Sequence, residues 1–279
     1  MIENQQASSY NIGNNQQEEC PINEQNKAFQ RLLGHLRRAV TNYHMIAPGD
    51  RIAVGVSGGK DSMALLAGLW RLRSFLGIDF TLHAITVDPK FHGVPADFSS
   101  IEAFCEEIHV PFHLLETEIG PVVFQARKEE NPCSLCSRMR RGALTNLAEE
   151  LGCNKLALGH HMDDALETFV MNLLLEGRLY CFCPVTDLSQ PDEGIRPDAA
   201  QAQKNRSITV IRPLVYAREW EIQKAAENSE LPIVKLACPN DGVSSRQWAK
   251  EWLEEQEKQN PGVRQKIFCA MTKSHLCGW

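Results

Sequence analysis

The stretch Ile52-Ala53-Val54-Gly55-Val56-Ser57-Gly58-Gly59-Lys60-Asp61-Ser62-Met63-Ala64-Leu65-Leu66-Ala67-Gly68-Leu69-Trp70 decides the fold. Its first five residues are apolar and include β-branched side chains, which reads as a buried strand. The run from Met63 is long enough for a helix. A glycine-rich turn between strand and helix presents successive backbone N–H groups at the positive end of a helix, an arrangement that binds phosphate. A Walker-type loop has four residues between its first glycine and the Gly-Lys pair. Here the loop is shorter, and Asp61 follows the lysine directly.

Outward from that stretch the alternation of strand and helix continues. Before it, Phe29, Leu32, Leu33, Leu36, Val40 and Tyr43 recur at helical spacing, and Pro48-Gly49-Asp50 turns the chain into the first strand. After it come strand patterns at 80–87, 111–115, 155–158 and 208–211, with a further short one at 232–235. Helical patterns at 98–108, 140–151, 163–176 and 218–228 alternate with them. Gly152 is placed to close the 140–151 helix. Repeated β–α units imply an α/β fold, a doubly wound and mostly parallel sheet whose ligands bind beyond the carboxyl ends of the strands. The phosphate loop, Asp88, Gly159-His160-His161 and Arg212 all fall at such ends, where Arg212 is placed either to bring a guanidinium near phosphate or to make a strand-end salt bridge. Residues of about 184–206 carry no periodicity and read as an exposed insertion. Residues 1–25, rich in Asn, Gln, Ser and Glu, read as a flexible tail, and 241–279 as a small C-terminal extension with one helix at 245–258.

The chain has 279 residues, 43% of them apolar and 23% charged, which is the composition of a soluble globular protein. No apolar run reaches the ~18 residues of a membrane span, and the first residues lack a signal-peptide pattern. A cytoplasmic location is expected, where ten cysteines point to metal or redox chemistry rather than disulfides. A net charge of −6 excludes a uniformly basic nucleic-acid-binding surface but leaves room for a local one. Arg138, Arg140 and Arg141, with Arg37, Arg38, Arg71 and Arg73, are candidates for phosphate contacts.

Cys133 and Cys136 stand one helical turn apart, a spacing that grips one metal or cluster. A zinc ribbon would supply a second such pair, and Cys181-Phe182-Cys183 has too short a gap to be one. Cys238 lies just past the 232–235 pattern. Cys105 and Cys153 read as small core residues, while Cys181, Cys183, Cys269 and Cys277 leave open a second metal site. His160, His161, Asp163, Asp164 and Glu167 are sufficient in type for a metallo-hydrolase, and one of the two aspartates suits a helix cap.

The loop Ser57–Ser62 resembles the pyrophosphate loop of the N-type ATP pyrophosphatases, the PP-loop superfamily. That resemblance implies that Ser57, Gly58, Gly59 and Ser62 wrap the β- and γ-phosphates of ATP, that Lys60 neutralises them, and that Asp61 holds Mg²⁺. Three further stretches, 132–142 (Pro-Cys-Ser-Leu-Cys-Ser-Arg-Met-Arg-Arg-Gly), 158–164 (Leu-Gly-His-His-Met-Asp-Asp) and 211–214 (Ile-Arg-Pro-Leu), are similar to the tRNA 2-thiocytidine synthetases. The resemblance spans residues 27–238 in matching order, and implies an adenine nucleotide α-hydrolase-like PP-loop domain at 26–240. It implies a [4Fe–4S] cluster on Cys133, Cys136 and Cys238, with one iron free of protein ligands. It also places Asp88, Gly159, His160 and Asp164 around the nucleotide and makes Asp163 a candidate to assist catalysis. The implied reaction is ATP-dependent thiolation of a tRNA base at C2 of an anticodon-loop cytidine. Its implied partners are tRNA and a sulfur donor such as a cysteine desulfurase, and a homodimer is compatible with it. The alternative is an adenylating ligase of the same fold with structural zinc at the cysteine pair. A third reading, a non-catalytic nucleotide-binding or iron–sulfur scaffold, conflicts with the intact Lys60-Asp61.

Overall fold

A computed structural model describes residues 26–127, 132–189, 208–240 and 245–279. The tail expected at 1–25, most of the 184–206 insertion and the 241–244 connection lie outside the described residues. Helix α1 (Lys27–Asn42) buries Phe29, Leu32, Leu33, Leu36, Ala39 and Val40, the stripe that the spacing implied. Its start is capped by Asn26, whose Oδ1 accepts from the N–H groups of Ala28 (3.0 Å) and Phe29 (3.3 Å). Strand β1 (Asp50–Gly55) leads through the glycine loop into α2 (Lys60–Leu72), which is buried nearly all round. The two helices approach closely at Gly68, where a Cβ would stand 2.6 Å from Leu36 Cδ1. Leu65, Leu66 and Leu69 are fully buried there, each contributing about 1.5–3 kcal/mol of apolar transfer.

The chain continues through β2 (Phe80–Asp88), α3 (Ser99–Glu107), β3 (Phe112–Glu116), a π-helical turn (Val122–Ala126), α4 (Pro132–Glu150), β4 (Lys155–Ala157) and α5 (Met162–Leu175). Then come β5 (Val185–Asp187), β6 (Thr209–Ile211), α6 (Glu219–Asn228), α7 (Ser245–Gln259) and α8 (Val263–Lys273). The sheet order is β3-β2-β1-β4-β6-β5, parallel except for β5. In register, Val54 of β1 faces Ala84 of β2 on one side and Ala157 of β4 on the other. The order therefore reverses between β1 and β4, which opens a crevice at their carboxyl ends.

Four expectations fail here. Residues 232–235 form no strand; they cross over the glycine loop, with Val234 N–H donating to Gly58 O at 2.9 Å. Pro232 lacks an N–H, which weakens a strand pairing there. The sixth strand is instead Val185–Asp187, inside the supposed insertion, and three residues are too few to show a period. The C-terminal segment carries two long helices, α7 and α8, rather than one. Helix α4 begins at Pro132, so it includes both cysteines of the pair in its first two turns. Among the described residues no helix is long and apolar enough to cross a membrane.

Candidate functional site

The glycine loop is tied by its two serines. Ser57 N–H donates to Ser62 Oγ (3.1 Å), the two hydroxyl oxygens lie 3.2 Å apart, and Ser62 Oγ donates to Gly59 O at 2.8 Å. Gly58 has φ +85°, and a Cβ there would meet Val234 O at 2.9 Å. Gly159, after β4, passes so close that its Cβ would lie 3.2 Å from the carbonyl carbon of Asp61. Both glycines are thus demanded by packing and not by flexibility alone.

Lys60 and Asp61 open α2. Lys60 Nζ sits 3.2 Å from Asp61 and 3.1 Å from Glu219 Oε1. Burial works against this ammonium, but the Asp61 charge and the hydrogen bond and charge of Glu219 hold its pKa above the ordinary lysine value. Burial raises the Asp61 carboxyl, against the opposing charges of His161 and Lys60. Asp61 Oδ1 is buried 3.2 Å from Lys60 Nζ without an aligned hydrogen bond, which leaves it lone-pair capacity for a further cation.

This loop lines a cavity of about 1100 Å³ at the crevice. Ser57, Gly59, Lys60, Asp61, Ser62, Gly159 and His160 are on its wall, and so are Cys133, Cys136 and Cys238. The N-terminal turns of α4 bring the first two thiols, and the segment crossing Gly58 brings the third. Asn240 Nδ2 donates to Cys133 Sγ at 3.0 Å, which fastens that segment to α4. Cys136 and Cys238 share an apolar cluster with Val87, Phe91, Leu135 and Leu236. Burial pushes the Cys136 thiol up, Arg140 opposes that, and the nearby Cys238 and Cys133 thiols add to it. All three are free cysteines, and among the described residues no other cysteine lines the cavity. Three free thiols facing one partly apolar cavity fit a cluster bound through three thiolates. Among the described residues no three His, Cys, Asp or Glu side chains, these three thiols included, stand at the spacing of a single metal ion.

The remaining candidates divide. His160 lines the cavity, its ring tilted 44° to that of Phe182 with centroids 5.1 Å apart, and its Nδ1 is buried without a hydrogen-bond partner. Burial, then the charge of Arg212, pushes this imidazole down to about 3, so it stays neutral at physiological pH. His161 caps α5 through a reciprocal pair: Asp164 N–H donates to its Nδ1 (3.3 Å), and its own N–H donates to Asp164 Oδ2 (3.0 Å). Burial would raise the Asp164 carboxyl, yet His161 and Arg246 outweigh it and hold it below the usual range. Arg246 Nη1 lies 3.0 Å from Asp164 Oδ1 and the side chain reaches the cavity wall.

Asp163, Asp164, Asp88 and Arg212 are not on that wall. Asp163 is buried at a junction of three helices, accepting from Arg218 Nε (3.1 Å), Arg264 Nη1 (2.9 Å) and Glu219 N–H (2.8 Å). It faces a smaller, charged cavity of about 420 Å³. Asp88 spends both oxygens on its own loop, accepting from Lys90 N–H (2.8 Å) and Ala96 N–H (2.9 Å). It shapes the cavity indirectly, since Val87 and Phe91 form the wall beside it. Arg212, expected near phosphate, is buried under β5 and donates to Cys183 O (2.6 Å) and Thr186 Oγ1 (3.0 Å). The basic cluster also splits: Arg140 and Arg141 line the cavity, whereas Arg71 sits about 16 Å along α2 from Lys60 at 1.5 Å per residue. Arg38 is stacked on Tyr216 at 4.1 Å.

Sequence reasoning missed Glu219, Arg246 and Lys250. The signal was faint: Arg246 and Lys250 are four apart on one face of α7, which packs on α5.

The profile of the PP-loop domain family matches residues 26–246. The tRNA-cytidine(32) 2-sulfurtransferase of Citrifermentans bemidjiense is 36% identical over 251 residues, covering 89% of this chain and 92% of that protein. The protein of the same name from Pelobacter propionicus is 39% identical over 250 residues, covering 88% and 87%. Among solved structures, the U34-tRNA thiolase NcsA from Methanococcus maripaludis with its [4Fe-4S] cluster superposes with TM-score 0.66 at 24% identity, over 88% of this chain and 78% of that one; it shares the fold.

Proposed function

The chain belongs to the PP-loop family, among the tRNA-cytidine(32) 2-sulfurtransferases, and from that premise we propose that it is an ATP-dependent tRNA sulfurtransferase. It adenylates the carbonyl oxygen on C2 of an anticodon-loop cytidine, forms a C2–sulfur bond as the C2–oxygen bond breaks, and releases AMP and pyrophosphate. One observation carries the reading: a single cavity of about 1100 Å³ is lined by the phosphate loop and by Cys133, Cys136 and Cys238 together.

Each residue then has a task. The backbone N–H groups of residues 58–60, leading into α2, cradle the β- and γ-phosphates, and Lys60 balances their charge. Asp61, whose buried Oδ1 meets Lys60 Nζ at 3.2 Å but accepts no aligned hydrogen bond, takes Mg²⁺. The C2 oxygen of the base attacks the α-phosphorus; the bond to the β-phosphate oxygen breaks, and pyrophosphate leaves with the electron pair into the loop. The O–C2 bond is then the one that must break, and AMP is a far better leaving group than the original oxygen. A [4Fe–4S] cluster held by Cys133, Cys136 and Cys238 would offer one iron without a protein thiolate as a seat for the incoming sulfur. Arg140, Arg141 and Arg246 line the cavity as guanidinium partners for the nucleic-acid backbone and the nucleotide. Neutral His160 gives the base an uncharged hydrogen-bonding neighbour. A loop nucleotide reaches such a pocket at little unstacking cost.

The test uses protein purified without oxygen, a tRNA transcript, Mg-ATP and sulfide in place of the biological donor, which we take to be a cysteine desulfurase. AMP release that depends on tRNA, with 2-thiocytidine in the digested product, is the expected result; ADP as product would refute adenylation. Cys238→Ser should lose iron and thiolation while keeping ATP binding. Equal iron in variant and wild type would remove Cys238 from the ligand set.

A further inference from the structure

An ammonium has three N–H donors. At Lys60 two are directed to carboxylates, Asp61 at 3.2 Å and Glu219 at 3.1 Å. Lys60 is on the wall of the large cavity, whereas Glu219 is on the wall of the smaller one and not of the large one. The ammonium is therefore held by one carboxylate on the large cavity's wall and one off it, with a third donor left for a phosphate in that cavity.

Glu219 is itself immobilised. It is the first residue of α6, its Oε2 accepts from Lys250 Nζ at 2.8 Å, and its N–H donates to buried Asp163 at 2.8 Å. Lys250 comes from α7, so a residue about 190 positions beyond Lys60 helps to set the reach of the phosphate-loop lysine. Lys250 also balances the Glu219 charge, so the anchor adds no net repulsion against a polyphosphate. A lysine stem has four rotatable bonds, and fixing them before the ligand arrives removes an ordering cost from binding.

We propose that Glu219, locked by Lys250, is a positioning residue for Lys60 that presets its ammonium for the pyrophosphate portion of ATP. The inference rests on the phosphate-loop reading of Lys60 and adds the part of the molecule that holds it.

The experiment titrates the full-length chain, with Mg²⁺, against inorganic pyrophosphate and separately against AMP by calorimetry. Glu219→Gln keeps the side-chain shape and should weaken pyrophosphate about tenfold while leaving AMP affinity within about twofold. Lys250→Ala, on the more exposed partner, should weaken pyrophosphate about threefold in the same selective way. In a Lys60→Ala background the Glu219→Gln loss should vanish, because the residue acts only through that lysine. Equal loss for AMP and pyrophosphate, or an undiminished loss without Lys60, would mean that Glu219 only supports the fold and would overturn the proposal. Unchanged pyrophosphate affinity in Glu219→Gln would do the same. If the wild-type chain binds no pyrophosphate, the phosphate reading of the loop falls first and takes this inference with it.

Discussion

Replacing Gly58 by alanine tests the link between the loop's backbone and its ligand. Two costs can be worked out separately. At φ +85° an L-residue pays about 1–2 kcal/mol for the left-handed backbone. The new Cβ would also stand 2.9 Å from Val234 O and 3.1 Å from Val234 Cβ, closer than ordinary van der Waals contact. Val234 cannot simply retreat, because its N–H donates to Gly58 O at 2.9 Å. Overpacking of that kind costs about 1–3 kcal/mol. Gly49 supplies the control: its φ is +83°, and nothing lies within 4 Å of a Cβ there. Gly49→Ala should therefore lose only the first cost, and Gly58→Ala both, a difference of about 1–3 kcal/mol in urea unfolding. Pyrophosphate titration of the folded variants should show Gly49→Ala binding like wild type and Gly58→Ala at least tenfold weaker, since its amides are displaced. Equal destabilisation of the two variants would refute the contact argument. Undiminished pyrophosphate binding by folded Gly58→Ala would refute the backbone cradle.

Three further outcomes follow from buried charge. Burial and the Asp164 charge raise the Glu167 carboxyl to about 7, so the folded chain holds a proton that the unfolded chain has released above about 4.5. Stability contributed by that proton is lost as pH rises from 4.5 to 7, and Glu167→Gln should gain on wild type by about 1.4 kcal/mol per pH unit across that window in urea unfolding; a pH-independent difference would disprove it. Asp163→Asn leaves Arg264, buried beside it, without its carboxylate, and should cost about 3–5 kcal/mol; a variant that unfolds like wild type but has lost thiolation would instead make Asp163 a catalytic group. His83 and His113 lie 3.2 Å apart between β2 and the edge strand β3, and burial lowers the pKa of both. Their contribution is present above the ordinary histidine pKa of about 6.5 and lost as pH falls below it, and His113→Gln should flatten that acid slope in thermal melts.

The phosphate loop was legible because everything that makes it is local: an apolar β-branched run, two glycines, a lysine and a helix start within nineteen consecutive residues. The parallel sheet followed from repeated β–α units by the same local logic. What escaped was decided by distant partners. Asp163 and Asp164 are adjacent, so about 100° of helix rotation points them to different surroundings. Which one meets Arg218 and Arg264, and which meets Arg246, depends on helices 55 to 100 residues downstream. Arg212 read as a phosphate ligand because it ends a strand at the correct sheet edge. The antiparallel β5, invisible at three residues, and the segment leading into it supply its acceptors, Thr186 Oγ1 and Cys183 O. Cys238 is of the same kind: nothing within its own neighbourhood ties it to Cys133, and only the resemblance suggested that the two belong together.

The segment 232–240 explains why phosphate chemistry and thiol chemistry share one cavity. It touches the phosphate loop at Val234, bonded to Gly58, and reaches α4 at Asn240, bonded to Cys133. Cys238 lies four residues beyond Val234, at most about 14 Å of extended chain. A strand paired into the sheet at 232–235 would have carried this segment into the sheet and away from the loop. Its failure to pair, the largest error of strand assignment, is therefore what delivers the third thiol. The same crossing gives the two halves of the site a mechanical link, because a ligand that shifts the Gly58 backbone must also move Val234. Pyrophosphate binding should accordingly change the alkylation rate of Cys238 while leaving that of Cys269, on α8 and off the cavity wall, unaltered.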